Sequence, residues 1–133
     1  MINFIKTKRP MYIKGVKEDR YVASIYRSTD TSLDSIAKEI SHATSVSYPD
    51  VLAALKAFEI HVAAHVLEGS AVKFGTLGAF IPALRSKAVA SLDDVDADTV
   101  KRVTCRFYPS VAFRNQLKGA ELEFKDLNKV KHV

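Results

Sequence analysis

Between Ser47 and Phe80 the hydrophobic pattern changes period, from the three- and four-residue steps of a helix to the alternation of a strand. Val51, Leu55, Phe58, Val62 and Val66 fall on one stripe of a 3.6-residue helix. Ser47-Tyr48-Pro49-Asp50 predicts its start. Ser47 can accept from the Asp50 amide, the Asp50 side chain can reach back, and proline in the first turn loses no needed bond. Gly69 suits the left-handed residue that closes a helix. The back of this helix is not polar, because Ala53, Ile60, Ala64 and Leu67 make a second apolar strip. A helix apolar on two sides needs two partners, and in a chain of 133 residues the second is expected to be another subunit.

Beyond Gly69, Val72 and Phe74 alternate with Lys73, then Gly75 and Gly78 interrupt before Phe80 and Leu84. Glycines within a strand pattern mark a bulge or a close backbone approach, so a bent strand is expected, with Gly78 intolerant of a side chain. Upstream, Thr31-Ser32-Leu33-Asp34 opens a shorter helix whose stripe is Leu33, Ile36, Ala37 and Ile40 and which ends near Ser41-His42-Ala43. It should pack on the long helix across Thr44-Ser45-Val46 as a helical hairpin. In the first thirty residues only Tyr21–Tyr26 has the β-branched and aromatic run of a short strand.

In the second half, Leu84–Val89 runs outward, an aspartate-rich turn follows, and Val100–Tyr108 returns as a strand. Val103, Cys105 and Phe107 alternate there with Arg102, Thr104 and Arg106, giving one apolar and one basic face. Pro109 ends the pairing, Ser110 can cap a last helix with Phe113 and Leu117 on its apolar side, and Gly119 should close it. The tail's Leu122, Phe124, Leu127 and Val130 suggest docking onto another surface.

Composition, 47% hydrophobic and 26% charged, is that of one ordinary globular domain rather than a disordered tail. No apolar run approaches a membrane span and the first residues lack a signal-peptide pattern, so a cytoplasmic protein is expected. The single cysteine, Cys105, cannot form an intramolecular disulfide and is expected to be a buried small hydrophobe. A net charge of +5 is unevenly spread: residues 1–20 carry six bases against two acids, and residues 81–118 seven against four. Positive charge therefore sits at the N-terminus and on the later strands.

The order of elements and two motifs resemble the bacterial histone-like HU/IHF family of DNA-binding proteins. Val72-Lys73-Phe74-Gly75-Thr76-Leu77-Gly78-Ala79-Phe80 is similar to the family's strand and glycine-rich turn, and Arg106-Phe107-Tyr108-Pro109-Ser110 to the approach to its final helix. The likeness runs from about Thr31 to Leu117. It implies an α+β, HU/IHF-like fold: a helical hairpin, a bent antiparallel sheet with a β-ribbon arm, and an intertwined homodimer that grips and bends double-stranded DNA. The implied divisions are an N-terminal extension (1–30, the HU-related branch with such an extension), a DNA-binding domain (31–119) and a C-terminal tail (120–133). The implied role is histone-like and nucleoid-associated. Together with the strand alternation, the resemblance marks Arg85, Lys87, Lys101, Arg102 and Arg106, and Arg114 on the last helix, as DNA-contacting residues. One departure stands out: members with full arms carry a proline wedge at the tip, whereas this tip has none and holds Asp93, Asp94, Asp96 and Asp98, which repel phosphate.

Other chemistry is weakly supported. His61 and His65 are spaced as two metal ligands would be, but no third ligand is evident. Gly75-Thr76-Leu77-Gly78 lacks the lysine and following helix of a phosphate loop, and Asp93–Asp98 lacks the glycine and terminal glutamate of a calcium loop. No enzyme, cofactor or small-molecule substrate is therefore expected. Two readings remain, a sequence-tolerant architectural DNA binder and a dimeric interaction module with little DNA affinity.

Overall fold

A computed structural model describes residues 1–27 and 29–130, without the side chains of Lys129 and Val130. In chain order the elements are β1 (Ile2–Ile13), β2 (Val16–Ile25), α1 (Leu33–Ala43), α2 (Tyr48–Leu67), β3 (Val72–Phe74), β4 (Gly78–Ser86), β5 (Val100–Pro109), α3 (Val111–Lys118), β6 (Leu122–Phe124) and α4 (Leu127–Val130). Two compact units result, one made of Met1–Asp30 with Leu117–Val133, the other of Thr31–Gln116.

In the first unit β1 and β2 form a long antiparallel ribbon, with Phe4 opposite Ile25 at its base and Ile13 opposite Val16 at its end. Lys14 and Gly15 join them, both at positive φ (52° and 79°), as the twist-matched two-residue hairpin turn demands. The sequence pattern marks only part of β2 and misses β1. Lys14 gives no hint of a left-handed residue, and Pro10 argues against a strand. Proline is tolerated because β6 pairs with β1 only at Ile2–Phe4, leaving one side of β1 open farther out. The tail docks through this parallel β6, whose Phe124 ring lies 5.9 Å from that of Phe4. Val130 lies outside the described side chains.

In the second unit Ser32, one residue later than the first candidate Thr31, caps α1 by accepting from the Ser35 amide at 3.1 Å. Ser47 caps α2 through the Asp50 amide at 3.4 Å, with Pro49 in the first turn. At its other end the Gly69 amide donates to the Val66 carbonyl and the Ser70 amide to that of His65, both at 3.0 Å. With Gly69 at φ 87° this is a Schellman closure. Gly119, by contrast, ends α3 without a positive φ.

The expected bent strand is instead a hairpin. β3 and β4 pair antiparallel, Phe74 opposite Gly78, around the turn Gly75–Leu77. Gly78 (φ 154°) is needed because a Cβ there would collide with the Tyr108 carbonyl and sit 2.9 Å from Phe107 Cε2. That turn is stitched to the start of α3. The Ser110 amide donates to the Leu77 carbonyl at 2.9 Å, its hydroxyl donates to the Thr76 carbonyl, and the same Oγ accepts from the Phe113 amide at 3.0 Å.

Four phenylalanines from α2 and all three strands form the packed centre of this unit. Phe74 lies 5.0 Å from Phe80, 5.8 Å from Phe107 and 6.3 Å, edge-on, from Phe58. Such spacings add directional attraction to area burial. Even so, the only buried apolar side chains among those described are Ala37 and Val51, and on α2 Ile60 (70%) and Leu67 (86%) stand exposed. Cys105 is exposed too, contrary to expectation. Alternation does put it on the apolar face with Phe107, but none of the described residues covers that end. There Val66, Leu67, Pro82, Leu84, Val103 and Cys105 line an open apolar depression of about 800 Å³.

At the helix pair, the Tyr48 hydroxyl donates to the Asp34 carboxylate, and Lys38 Nζ lies 3.4 Å from the same group. The hydrogen bond from Tyr48, foremost, and then Lys38 hold Asp34 below the ordinary 3.8, and the same bond raises Tyr48 above 10.0. A lowered carboxylate pKa stabilises the fold above the unfolded value, and that contribution disappears as pH falls through the folded one. Tyr48 has the opposite sign, its contribution disappearing as pH rises through its raised value. Tyr48→Phe should move the Asp34 titration, followed by carboxylate NMR, back toward 3.8 and flatten the acid limb of the stability profile. An unmoved Asp34 would show that the bond does not form in solution.

Candidate nucleic-acid interface

β4 and β5 extend as a two-stranded ribbon whose register decides which charges share a face. Phe80 opposes Phe107, Ile81 opposes Arg106, Ala83 opposes Thr104, and Arg85 opposes Arg102. Directly opposed residues in an antiparallel ladder project to the same side. The Phe107 face, turned to the aromatic cluster, is thus apolar, and the opposite face carries Arg85, Arg102 and Arg106. Arg102 and Arg106 are four positions apart, about 13 Å along the strand.

After Arg85 the register shifts, Ser86 opposing Val100, so that Lys101 is the extra residue of a bulge. Lys87 lies just past β4 but stays in the ladder, its amide donating to the Thr99 carbonyl at 2.9 Å. Bulges of this kind raise local twist and re-aim side chains. Arg114 lies on α3, away from the ribbon in sequence and not joined to its face by any described contact. All six basic residues are exposed, and among the described residues none takes part in an ion pair. Like charges placed directly opposite, as Arg85 and Arg102 are, destabilise a ladder unless an anion sits between them.

The acidic tip has a structural use that its composition hides. It folds into two single turns of 3-10 helix, Leu92–Asp94 and Ala97–Thr99. Asp96 caps the second, accepting from the Asp98 amide at 3.0 Å and the Thr99 amide at 3.2 Å, while Ser91 caps the first. Asp93, Asp94 and Asp98 remain exposed at the far end. No group of three metal-ligating side chains is assembled among the described residues, and His61 and His65 gain no third ligand. Nor is any described helix long and apolar enough to cross a membrane.

Sequence reasoning placed the two arginines of β5 on one face but did not foresee that Arg85 lies directly against Arg102. Register alone makes that pair, and one strand read by itself contains no register.

Fold and site together define a class: a small α+β domain in which a helix pair and an aromatic-centred sheet carry a ribbon with one basic side. Within that class the chain belongs to the family described as an HU domain fused to wHTH, Ig, or a glycine-rich motif, whose model matches residues 1–124. Among solved structures it is similar to a Bacteroides vulgatus protein described provisionally as a bacterial DNA-binding protein, with a TM-score of 0.65 at 14% identity. The match covers 92% of this chain and 47% of that one, so the chain spans about half the length of its structural neighbour. No curated protein matches the sequence.

Proposed function

We propose that this chain is a non-catalytic, architectural DNA-binding protein of the nucleoid. It acts as a homodimer and holds double-stranded DNA, with little regard to sequence, on the basic face of the β4–β5 ribbon. The observation that carries this is the opposed Arg85–Arg102 pair with Arg106 on the same face, all exposed and without acidic partners among the described residues. A row of phosphates relieves that repulsion and releases counterions as it does so. Arg85, Arg102 and Arg106 are the central contacts, Lys87 and Lys101 flank them at the bulge, and Arg114 is an auxiliary contact from α3. The unit Thr31–Gln116 is the HU-like part, and the ribbon unit is its extension. Family membership and the neighbour's description support DNA as the partner. The uncovered apolar strips of α2 and the depression beside Cys105 support a second copy as their cover.

The test is a mobility-shift titration of unrelated duplexes at two salt concentrations. Arg102→Ala with Arg106→Ala should weaken binding similarly for each duplex and lower the salt slope by about one for every phosphate that is no longer neutralised. Asp93→Asn with Asp94→Asn should bind equally or more tightly. Unchanged binding by the arginine variant overturns the assignment of this face. The exposed carboxylates of the tip favour a second reading, a dimeric interaction module; absence of salt-dependent duplex binding would select it.

A further inference from the structure

The β1–β2 ribbon is not used by the function just proposed, and its two faces differ in kind. On one side Ile5, Thr7, Val22 and Ser24 are half-buried, and Thr7 and Ser24 hydroxyls meet at 2.9 Å. On the other, the register sets Tyr21 opposite Lys8, Tyr12 opposite Lys17, and Phe124 of β6 opposite Phe4. This outer face therefore presents a ring at the levels of residues 4, 8 and 12 of β1. At the rise of a strand the rings are about 13 Å apart and span about 27 Å. Tyr12 is 77% and Tyr21 75% exposed.

Lysines lie at the same levels or between them. Lys6 Nζ sits 4.7 Å above the Phe124 ring, Lys17 shares the Tyr12 level, and Lys8 is held by Asp19 at 3.0 Å. Asp19 is the one acid on this part of the face, and among the described residues neither Lys6 nor Lys17 has an acidic partner. Exposed rings at regular intervals, interleaved with cations, match a strand of unpaired nucleotides: bases stack on the rings and phosphates run past the ammonium groups. A duplex cannot use the rings this way, because its bases are already stacked on one another.

We propose that the outer face of the β1–β2 ribbon is a binding site for single-stranded DNA, with Tyr12 and Tyr21 as stacking platforms and Lys6 and Lys17 as phosphate contacts. The choice of DNA over RNA rests on the duplex reading above; the site itself does not. It belongs to the other compact unit from the one that carries the β4–β5 face.

The test uses the full chain with three labelled probes of about 20 nucleotides, oligo-dT, oligo-U and a duplex of mixed sequence, a length within reach of one or two such sites. Tyr12→Ala and Tyr21→Ala should each weaken oligo-dT binding by about 5- to 150-fold and leave the duplex unaffected. Tyr12→Phe and Tyr21→Phe, which keep the ring, should retain binding. Both tyrosines are exposed, so the variants should melt like the parent. Arg102→Ala with Arg106→Ala should have the converse pattern. Absent duplex binding with tyrosine-dependent oligo-dT binding would defeat the duplex reading alone. Alanine variants that bind oligo-dT like the parent, or that change oligomeric state without changing oligo-dT binding, overturn the site. Preference for oligo-U overturns its assignment to DNA.

Discussion

Gly78→Ala is expected to destabilise the protein by about 3 kcal/mol or more, at the upper end of what overpacking costs. The added Cβ meets backbone, the Tyr108 carbonyl, and not the yielding end of a side chain. Relief would require β4 to withdraw from β5 at the point where Gly78 opposes Pro109. It would also strain the stitch from Ser110 to the carbonyls of Thr76 and Leu77, because that turn leads directly into Gly78. Phe107, 2.9 Å from the same Cβ, would be pushed against Phe74 and Phe80. Urea unfolding measures the effect, and a midpoint equal to that of the parent would show that the strands do not approach so closely. Gly75→Ala, where a Cβ meets nothing within 4 Å, should cost less, through its φ of 65° alone.

Phe58→Ala is expected to cost about 3 to 5 kcal/mol, the penalty for removing a fully buried phenylalanine. Within one chain the ring leans edge-on against Phe74 and is still 46% exposed. Half-covered, it would lose only about 2 kcal/mol by area. The difference is what the proposed second copy would contribute, so the same experiment tests that assembly. The parent's melting temperature should rise with protein concentration, as mass action requires of an obligate dimer. A cost near 2 kcal/mol, with a melting temperature independent of concentration and a monomer by light scattering, would show that nothing covers α2.

Much of the second unit was legible because its elements announce their own ends. Ser47, Pro49 and Gly69 bound α2 where the pattern put them, and Gly78 proved intolerant of a Cβ. The reason for Gly78 differed, since it stands at the exit of a hairpin turn and not in a continuous bent strand. For Cys105 the alternation was right and the inference of burial was not, because alternation gives a residue's face and not what packs on that face. The β1–β2 ribbon was largely invisible: its turn uses a lysine at positive φ, its first strand contains Pro10, and its outer face mixes lysine with tyrosine. For the candidate interface the arginines of β5 could be placed on one face from their spacing, but the pairing of Arg85 with Arg102 depends on a register set by the whole hairpin.

The parallel pairing of β1 with β6 bears on the order in which the chain folds. Ile2 and Leu122 are 120 positions apart, whereas the β1–β2 turn closes over two residues. A hairpin of that kind forms in about 1 to 10 μs, but joining distant segments carries a closure entropy that grows with the logarithm of the separation. The ribbon can therefore form early and wait for its third strand until Leu122–Phe124 is available. During synthesis, residues 2–4 keep an unpaired edge until residues 122–124 have been made. In that interval the open edge of an unfinished chain is a template on which a neighbour's strand can pair.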